Sequence, residues 1–360
     1  MSTKWINELL DPALISAKWD EGYANKLPWF SETVFSKTRT QNLELSFLKG
    51  SRGTSAISRL SAFDANYTFV ERGGLSKESA QLPFLREAMA LNEKDRRELG
   101  SLFAQASPII ADVVRRVYED QFTLIERAKN FIEFLCFQVL QNAEMTIATQ
   151  VDASVSSYNV TYDPSGQWLT DHIINIVTPW ENVLSNPLID IVKAVKYARK
   201  ENGTVINKIL LSDRLEEALL ASEKVAQTIF PQFSQTIVGI PEVERYLATK
   251  LRGGIQLVSM SNYRDTYFDE TSQTVKSFLD QNRAVLLPAG DVGKKVFSIT
   301  PEEDAKREDP ALKVAVVEGG IAISQNITIK APYISETVVS AVVAPSFEGQ
   351  DSVFGLEVAV

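Results

Sequence analysis

His172 and Cys136 are the chain's only histidine and only cysteine. A Ser-His-Asp or Cys-His nucleophilic site, and most kinds of zinc site, would have to be built on one of them. Neither neighbourhood suits that work. Cys136 sits in FIEFLCFQVL (131–140), apolar nearly all round, where a thiol packs as a small hydrophobe. His172 sits in WLTDHIINIV, a partly apolar stretch that suits a packed or surface imidazole. PAGDVGKK (288–295) looks like a phosphate loop, but that pattern wants glycine first and serine or threonine last, where the chain has Pro288 and Lys295. The GGI triplets at 253 and 319 lack GxGxxG spacing and offer no dinucleotide turn. Carboxylates adjoin at Asp269-Glu270 and in Glu302-Glu303-Asp304, in charged stretches that read as solvated. A glycosidase would need two of them on opposing walls of a cleft. On these residue types no catalytic, cofactor-binding or metal-binding residue is assigned and no cofactor is expected.

With 360 residues, 44% hydrophobic and 23% charged, the chain suits one large domain or two to three smaller ones. Lys plus Arg number 37 against 46 Asp plus Glu, a net charge of -9. A surface of that sign repels nucleic acid at long range, so sequence-specific DNA binding is a poor reading. A single cysteine leaves no internal disulfide. The N-terminus lacks the apolar region of a signal peptide, and no apolar run reaches the roughly 18 residues of a membrane helix, so no membrane partner is expected.

Residues 1–38 read as an arm with Trp5, Trp19, Trp29 and Phe30 along it, more aromatic surface than a short arm buries by itself. We expect it to lie against another surface; a helix docked on its own domain is the alternative. RTQNLELSFL (39–48) alternates polar and apolar residues, as a strand does. AFDANYTFVERGG (62–74) alternates too, with Phe63, Ala65, Tyr67 and Phe69 on one face and Asp64, Asn66, Thr68 and the later Glu71 on the other. Joined across LKGSRGTSAIS, the two predict a long hairpin with one aromatic face. A hairpin alone is marginal in water, so that face needs a partner.

The period then becomes helical. Asn92 is placed to cap a helix through EKDRRELGSLFAQA, and Ser107-Pro108 to start a second. From Pro108 to about Thr149 apolar residues recur in steps of three and four, which predicts a helix on the order of 60 Å long unless it breaks near Asp120-Gln121. Asn186-Pro187 opens a helix ending at Asn202-Gly203, TVINKILLS follows as a buried strand, and Ser212 caps the next helix. Strands are expected in 253–261, 284–290 and 295–300, a helix start at Thr300-Pro301-Glu302-Glu303, and Val/Ile-rich strands from 313 to the end. The class is α+β, because a long helix and a strand-rich tail flank the mixed middle.

This order of parts, carried by PFLREAMALNEKDRREL (83–99), FIEFLCFQVLQNAEM, TYDPSGQWLTD (161–171), NPLIDIVKAVKYARKENG with INKILLS, EEDAKRE (302–308) and VVSAVVAPSFEGQDSVFGLEVAV, resembles the major capsid proteins of tailed bacteriophages. Their fold is the Hong Kong 97 type, and the chain is most similar to the lambda-like phage major capsid protein E family. The resemblance implies an arm (1–38), an extended loop (39–84), a peripheral domain with a spine helix (85–170), an axial domain (171–320) and returning peripheral strands (321–360). It implies a non-enzymatic protein that self-assembles into hexamers and pentamers, forming the icosahedral head shell around phage DNA. Arg52, Arg59, Phe63, Tyr67, Phe69, Glu71 and Arg72 of the extended loop would then contact a neighbouring subunit. Further implied partners are a separate scaffolding protein, a portal protein and a decoration protein. Double-stranded DNA would be enclosed without sequence-specific binding, with assembly in the host bacterial cytoplasm and a final place in the virion. Two alternatives stay open: an encapsulin-type compartment of the same fold loaded with protein cargo, and an unrelated carboxylate hydrolase.

Overall fold

Strand Ile334–Pro345, ISETVVSAVVAP, is buried along nearly its whole length, and a six-stranded sheet is built on it. Both of its faces are covered, so its sequence is an apolar run without alternation. Ile321–Thr328 pairs antiparallel along one edge; Phe84–Leu91 and then Gly293–Ser298 share the other. Phe35–Arg39 adds to Gly293–Ser298 in parallel, and Val314–Val317 adds antiparallel to Ile321–Thr328. This is a computed structural model, and it describes residues 8–22, 26–50, 75–104, 109–151, 154–232, 237–251, 253–328 and 333–360.

The spine helix, Ile109–Asn142, lies on one face of this sheet. Its 34 residues give a length of about 50 Å, and it runs unbroken through Asp120-Gln121. Leu135, Cys136, Phe137 and Val139 are fully buried, as the all-round apolar stretch requires. The helix stops at Asn142 instead of continuing towards Thr149. Ala143 takes a left-handed φ of 52°, which ends the helical path. Glu144–Val151 then pairs with Ser154–Thr161 as a hairpin. Met145 and Ile147 are buried one strand period apart, so the segment's apolar spacing serves a strand as well as it would a helix.

Ahead of the spine, Glu93–Ala104 is helical, and the Asn92 side chain accepts from Asp95 N at 3.0 Å. The strand expected over 39–48 is two strands. Phe35–Arg39 belongs to the large sheet, while Glu44–Gly50 pairs with Leu75–Gln81 in a separate two-stranded hairpin. The partner of Glu44–Gly50 is thus Leu75–Gln81, and the strand expected over 62–74 falls outside the described residues. Thr40, Gln41 and Asn42, three polar residues in a row, interrupt the alternation and separate the two strands.

A second, five-stranded sheet has the order Ile173–Ile176, Phe354–Val358, Arg283–Pro288, Ile206–Leu211, Gln256–Ser259. Helices Pro187–Asn202, Asp213–Ala221, Glu223–Ile229 and Ile240–Lys250 accompany it, and its core gathers Trp180, Leu188, Ile191, Leu215, Val243 and Phe354. The local punctuation is as expected. Gly203 ends its helix at φ 66°, Ser212 Oγ accepts from Leu215 N at 3.3 Å, and Thr300 with Glu303 forms a capping box before Pro301–Glu308. The sheets do not respect the expected division at 320/321. Gly293–Ser298 and Val314–Val317 belong to the spine's sheet, and Phe354–Val358 to the other. A buried apolar strand carries no local mark of which sheet it will join.

The described part of the arm docks on its own chain, as in the alternative reading of it; Trp5 lies outside the described residues. Helix Pro12–Gly22 puts Trp19 edge-on to Phe122 of the spine at 5.6 Å. Trp29 Nε1 donates to Asn130 Oδ1 at 3.2 Å, and Phe30 meets Phe137 at 6.0 Å. Under these rings lies a cluster of charges. Lys129 Nζ reaches Glu318 at 2.8 Å and Glu32 at 3.1 Å, and sits 3.9 Å over the Trp29 ring. Lys37 reaches Glu318 at 2.7 Å, and Trp19 Nε1 donates to the same carboxylate at 3.3 Å. Burial works to raise the Glu318 pKa, but the bonds from Lys129 and Lys37 outweigh it and hold the group at about 2.

A folded pKa below the unfolded value means that the stabilisation is fully present above about pH 4.3 and is lost as pH falls through the folded value. Glu318→Gln should therefore cost about 2 kcal/mol near neutrality. The cost should shrink as pH drops below about 4, measured by urea unfolding of both proteins across pH.

Candidate assembly surfaces

The residues that could have done chemistry are occupied with structure. Cys136 is fully buried, and burial pushes its thiol up to about 12. His172 is buried with Nδ1 2.8 Å from Val353 O. Asp269 accepts from Thr271 N and Ser272 Oγ, both at 2.9 Å, and pairs with Lys276. Glu302 accepts from Ser340 Oγ at 2.6 Å and pairs with Arg86, while Glu303 caps its own helix and pairs with Arg39. Among the described residues no group of three His, Cys, Asp or Glu side chains could hold a metal, and no helix is long and apolar enough to cross a membrane.

The structure instead presents surfaces. The base of the extended hairpin is pinned by Leu45 and Leu82, both buried, and by a bond from Leu82 N to Leu43 O at 2.8 Å. Beyond that base the hairpin is a two-stranded ribbon with no third strand among the described residues. Beside it opens a groove of about 670 Å³. Its walls are Pro83, Phe84 and Leu85, then Leu124, Ala128 and Phe131 of the spine, then Ile147 and Tyr158 of the second hairpin. Phe84 leaves 46% of its surface to solvent. At the rim Arg127 holds Glu87 through Nε and Nη2, at 2.5 and 2.9 Å, and Glu270 through Nη1 at 2.6 Å. That guanidinium ties the edge strand, the spine and the small hairpin 266–277 together, and these bonds keep it more basic than a free arginine.

A second apolar surface lies on the other sheet's unit. Val177, Val183 and Leu184 are 88%, 70% and 84% exposed in the loop before Pro187–Asn202. The predicted contact residues Arg52, Arg59, Phe63, Tyr67, Phe69, Glu71 and Arg72 lie outside the described residues. Neither the groove nor the apolar loop was predicted. The groove is made of three segments distant in sequence, and the loop's only local signal is VL within TPWENVLSNP.

The sequence profile of the family described as Phage major capsid protein E matches residues 23–314. No curated protein matches the chain. Among solved structures, a prophage protein of E. coli CFT073 assigned as a capsid protein superposes with a TM-score of 0.60 at 13% identity, covering 97% of this chain and 99% of that one. A phage-related protein from Bordetella bronchiseptica RB50 gives 0.55 at 13% identity, covering 97% of each chain. The capsid protein of cyanophage A-1(L) gives 0.53 at 12% identity, covering 93% and 94%. The shared fold is the Hong Kong 97 capsid fold.

The burial of Cys136 has a direct chemical consequence. A maleimide should label the native protein at least ~100-fold more slowly than the urea-unfolded protein at the same pH, because reaction waits for an opening that exposes the thiol. Equal rates would place Cys136 at the surface.

Proposed function

The chain belongs to the phage major capsid protein E family and is a head-shell protein, and we propose that its copies join as hexamers and pentamers through the extended hairpin and the groove beside it. The observation that carries this reading is the hairpin itself. Among the described residues, Glu44–Gly50 and Leu75–Gln81 pair only with each other, and a two-stranded hairpin is marginal by its own burial. The segment it leads to, residues 51–74, carries the aromatic alternation of Phe63, Tyr67 and Phe69. Each subunit also offers an open, apolar-walled groove on its spine. A strand-rich segment laid on a neighbour gains its partner on assembly. Arg52, Arg59, Glu71 and Arg72 then supply charge contacts around the aromatic face.

The working parts are interfaces, and the protein acts without catalysis. Repeated symmetric contacts of modest individual strength close a shell. A net charge of -9 keeps the enclosed double-stranded DNA from adsorbing to its wall. Assembly takes place in the host bacterial cytoplasm with a separate scaffolding protein, a portal protein at one vertex and a decoration protein outside. The compartment-shell and hydrolase alternatives are not favoured, since the matching family is one of phage capsids.

The test is light scattering and negative-stain electron microscopy of the full chain, alone and co-expressed with a phage scaffolding protein. Hexamers, pentamers or shells are expected. Phe84→Glu, at a half-exposed site, should change unfolding stability by no more than about 0.5 kcal/mol while reducing assembly sharply. Shells formed undiminished by this variant would remove the groove from the interface. A strict monomer under both conditions, with 49–74 protected from protease on its own chain, would overturn the assembly reading.

A further inference from the structure

His172 stands where the two sheets are joined. Residues 162–172 carry the chain out of the hairpin Ser154–Thr161 to the five-stranded sheet, and residues 346–353 carry it back there from the six-stranded one. The two crossings lie side by side. Three side chains grip the returning one by its carbonyls: Trp168 Nε1 donates to Gln350 O at 3.0 Å, Asn202 Nδ2 to Asp351 O at 2.7 Å, and His172 Nδ1 to Val353 O at 2.8 Å. The imidazole is stacked between Trp168, at 5.4 Å and 17°, and Phe354, at 4.4 Å and 20°. Trp168 and Val353 pack in the spine's core, whereas Phe354 packs in the second core. The ring is thus one contact between the two cores, alongside Leu210, Val258, Val285 and Leu287 of the five-stranded sheet, which also pack in the spine's core.

A carbonyl oxygen only accepts, so Nδ1 carries the proton and Nε2 keeps its lone pair. Nε2 faces the Asn202 amide nitrogen at 3.5 Å, and that amide is a donor because it also serves Asp351 O. Protonating the ring would set two donors against each other and leave a cation between two aromatic faces in a buried site. The geometry points to His172 as a proton-operated latch: neutral, it clamps the returning segment 346–353 against the outgoing one; protonated, it loosens that segment. The charged groups near it are Asp163 and Asp171 on its own segment and Asp351 on the returning one. Helix Pro187–Asn202 presents the neutral Asn202 amide, with Tyr197 edge-on to Phe354 and its hydroxyl 3.2 Å from Asp171 O. Burial lowers the pKa of His172 from 6.5, against the pull of the Val353 bond and of those aspartates. The folded chain then binds fewer protons than the unfolded one. The clamp is fully stabilising above about pH 6.5 and weakens as pH falls towards the folded value.

With one histidine in the chain, its titration can be read without ambiguity. Deuterium exchange at the histidine ring carbon, followed by mass spectrometry of the full chain, gives its midpoint. Backbone exchange of peptides over 346–358, corrected for intrinsic rate, gives the state of the crossing. The expected result is a midpoint below 6.5 and a loss of protection of about ten-fold between about pH 7.5 and about pH 5, sharing that midpoint. His172→Phe keeps the stack without a titrating group and should show no such loss. Where that variant fails to fold, Asn202→Asp decides. A carboxylate facing Nε2 accepts from the protonated ring, so the midpoint and the loss of protection should move together to higher pH. Protection that does not follow the histidine, or the same acid response in His172→Phe, would overturn the latch.

Discussion

Leu135, Cys136, Val139 and Leu140 of the spine helix are sealed in one core with Val339, Ala341 and Val343 of the central strand. Each large apolar side chain so buried contributes on the order of 1.5–3 kcal/mol relative to exposure. The stripe can be satisfied only if the helix lies along the sheet in one register, since interiors are packed as densely as crystals. That constraint places everything else. The Ala143 turn at one end of the helix fixes the hairpin 144–161, and the central strand fixes Phe84–Leu91 beside it. Between them the groove is left open, with the extended hairpin rising at its margin.

The same burial carries a cost that the arm offsets. The spine brings Lys129 and Glu133 into the core, where unpaired charges would be strongly unfavourable. Residues 29–37 supply the partners. Ser31 gives Glu133 its backbone N–H at 3.0 Å and its hydroxyl, and Glu32 reaches Lys129. Glu133 is pushed up by burial, against the charge of Lys295 and the two Ser31 bonds. Residues 29–37, held by their own chain through such bonds, are a fixed part of the subunit. Among the described residues, the extended hairpin, the groove beside it and the exposed apolar loop are the surfaces we propose for joining copies.

What the sequence revealed and what it hid follow from the range of the interactions. Helix starts at Asn92, Ser212 and Thr300 were legible because a cap bonds an amide three residues on. The spine's buried half was legible because its apolar residues recur within one chain segment. The end of the spine was not, because Met145 and Ile147 fit either period and only Ala143's backbone decides. The sheet assignments of Gly293–Ser298 and Phe354–Val358 depend on partners far along the chain, as does the groove. Trp19 and Trp29 of the arm announced a need for burial, but their partners Phe122 and Asn130 lie about a hundred residues away.

The most direct measurement is a cryo-electron microscopy map of assembled particles, resolved well enough to trace the hairpin. The account predicts that the ribbon Glu44–Gly50 with Leu75–Gln81, and the segment it carries, lies across a neighbouring subunit, with side chains seated in the groove lined by Phe84 and Phe131. A map in which the ribbon folds back onto its own subunit, with that groove facing solvent in the shell, would contradict it.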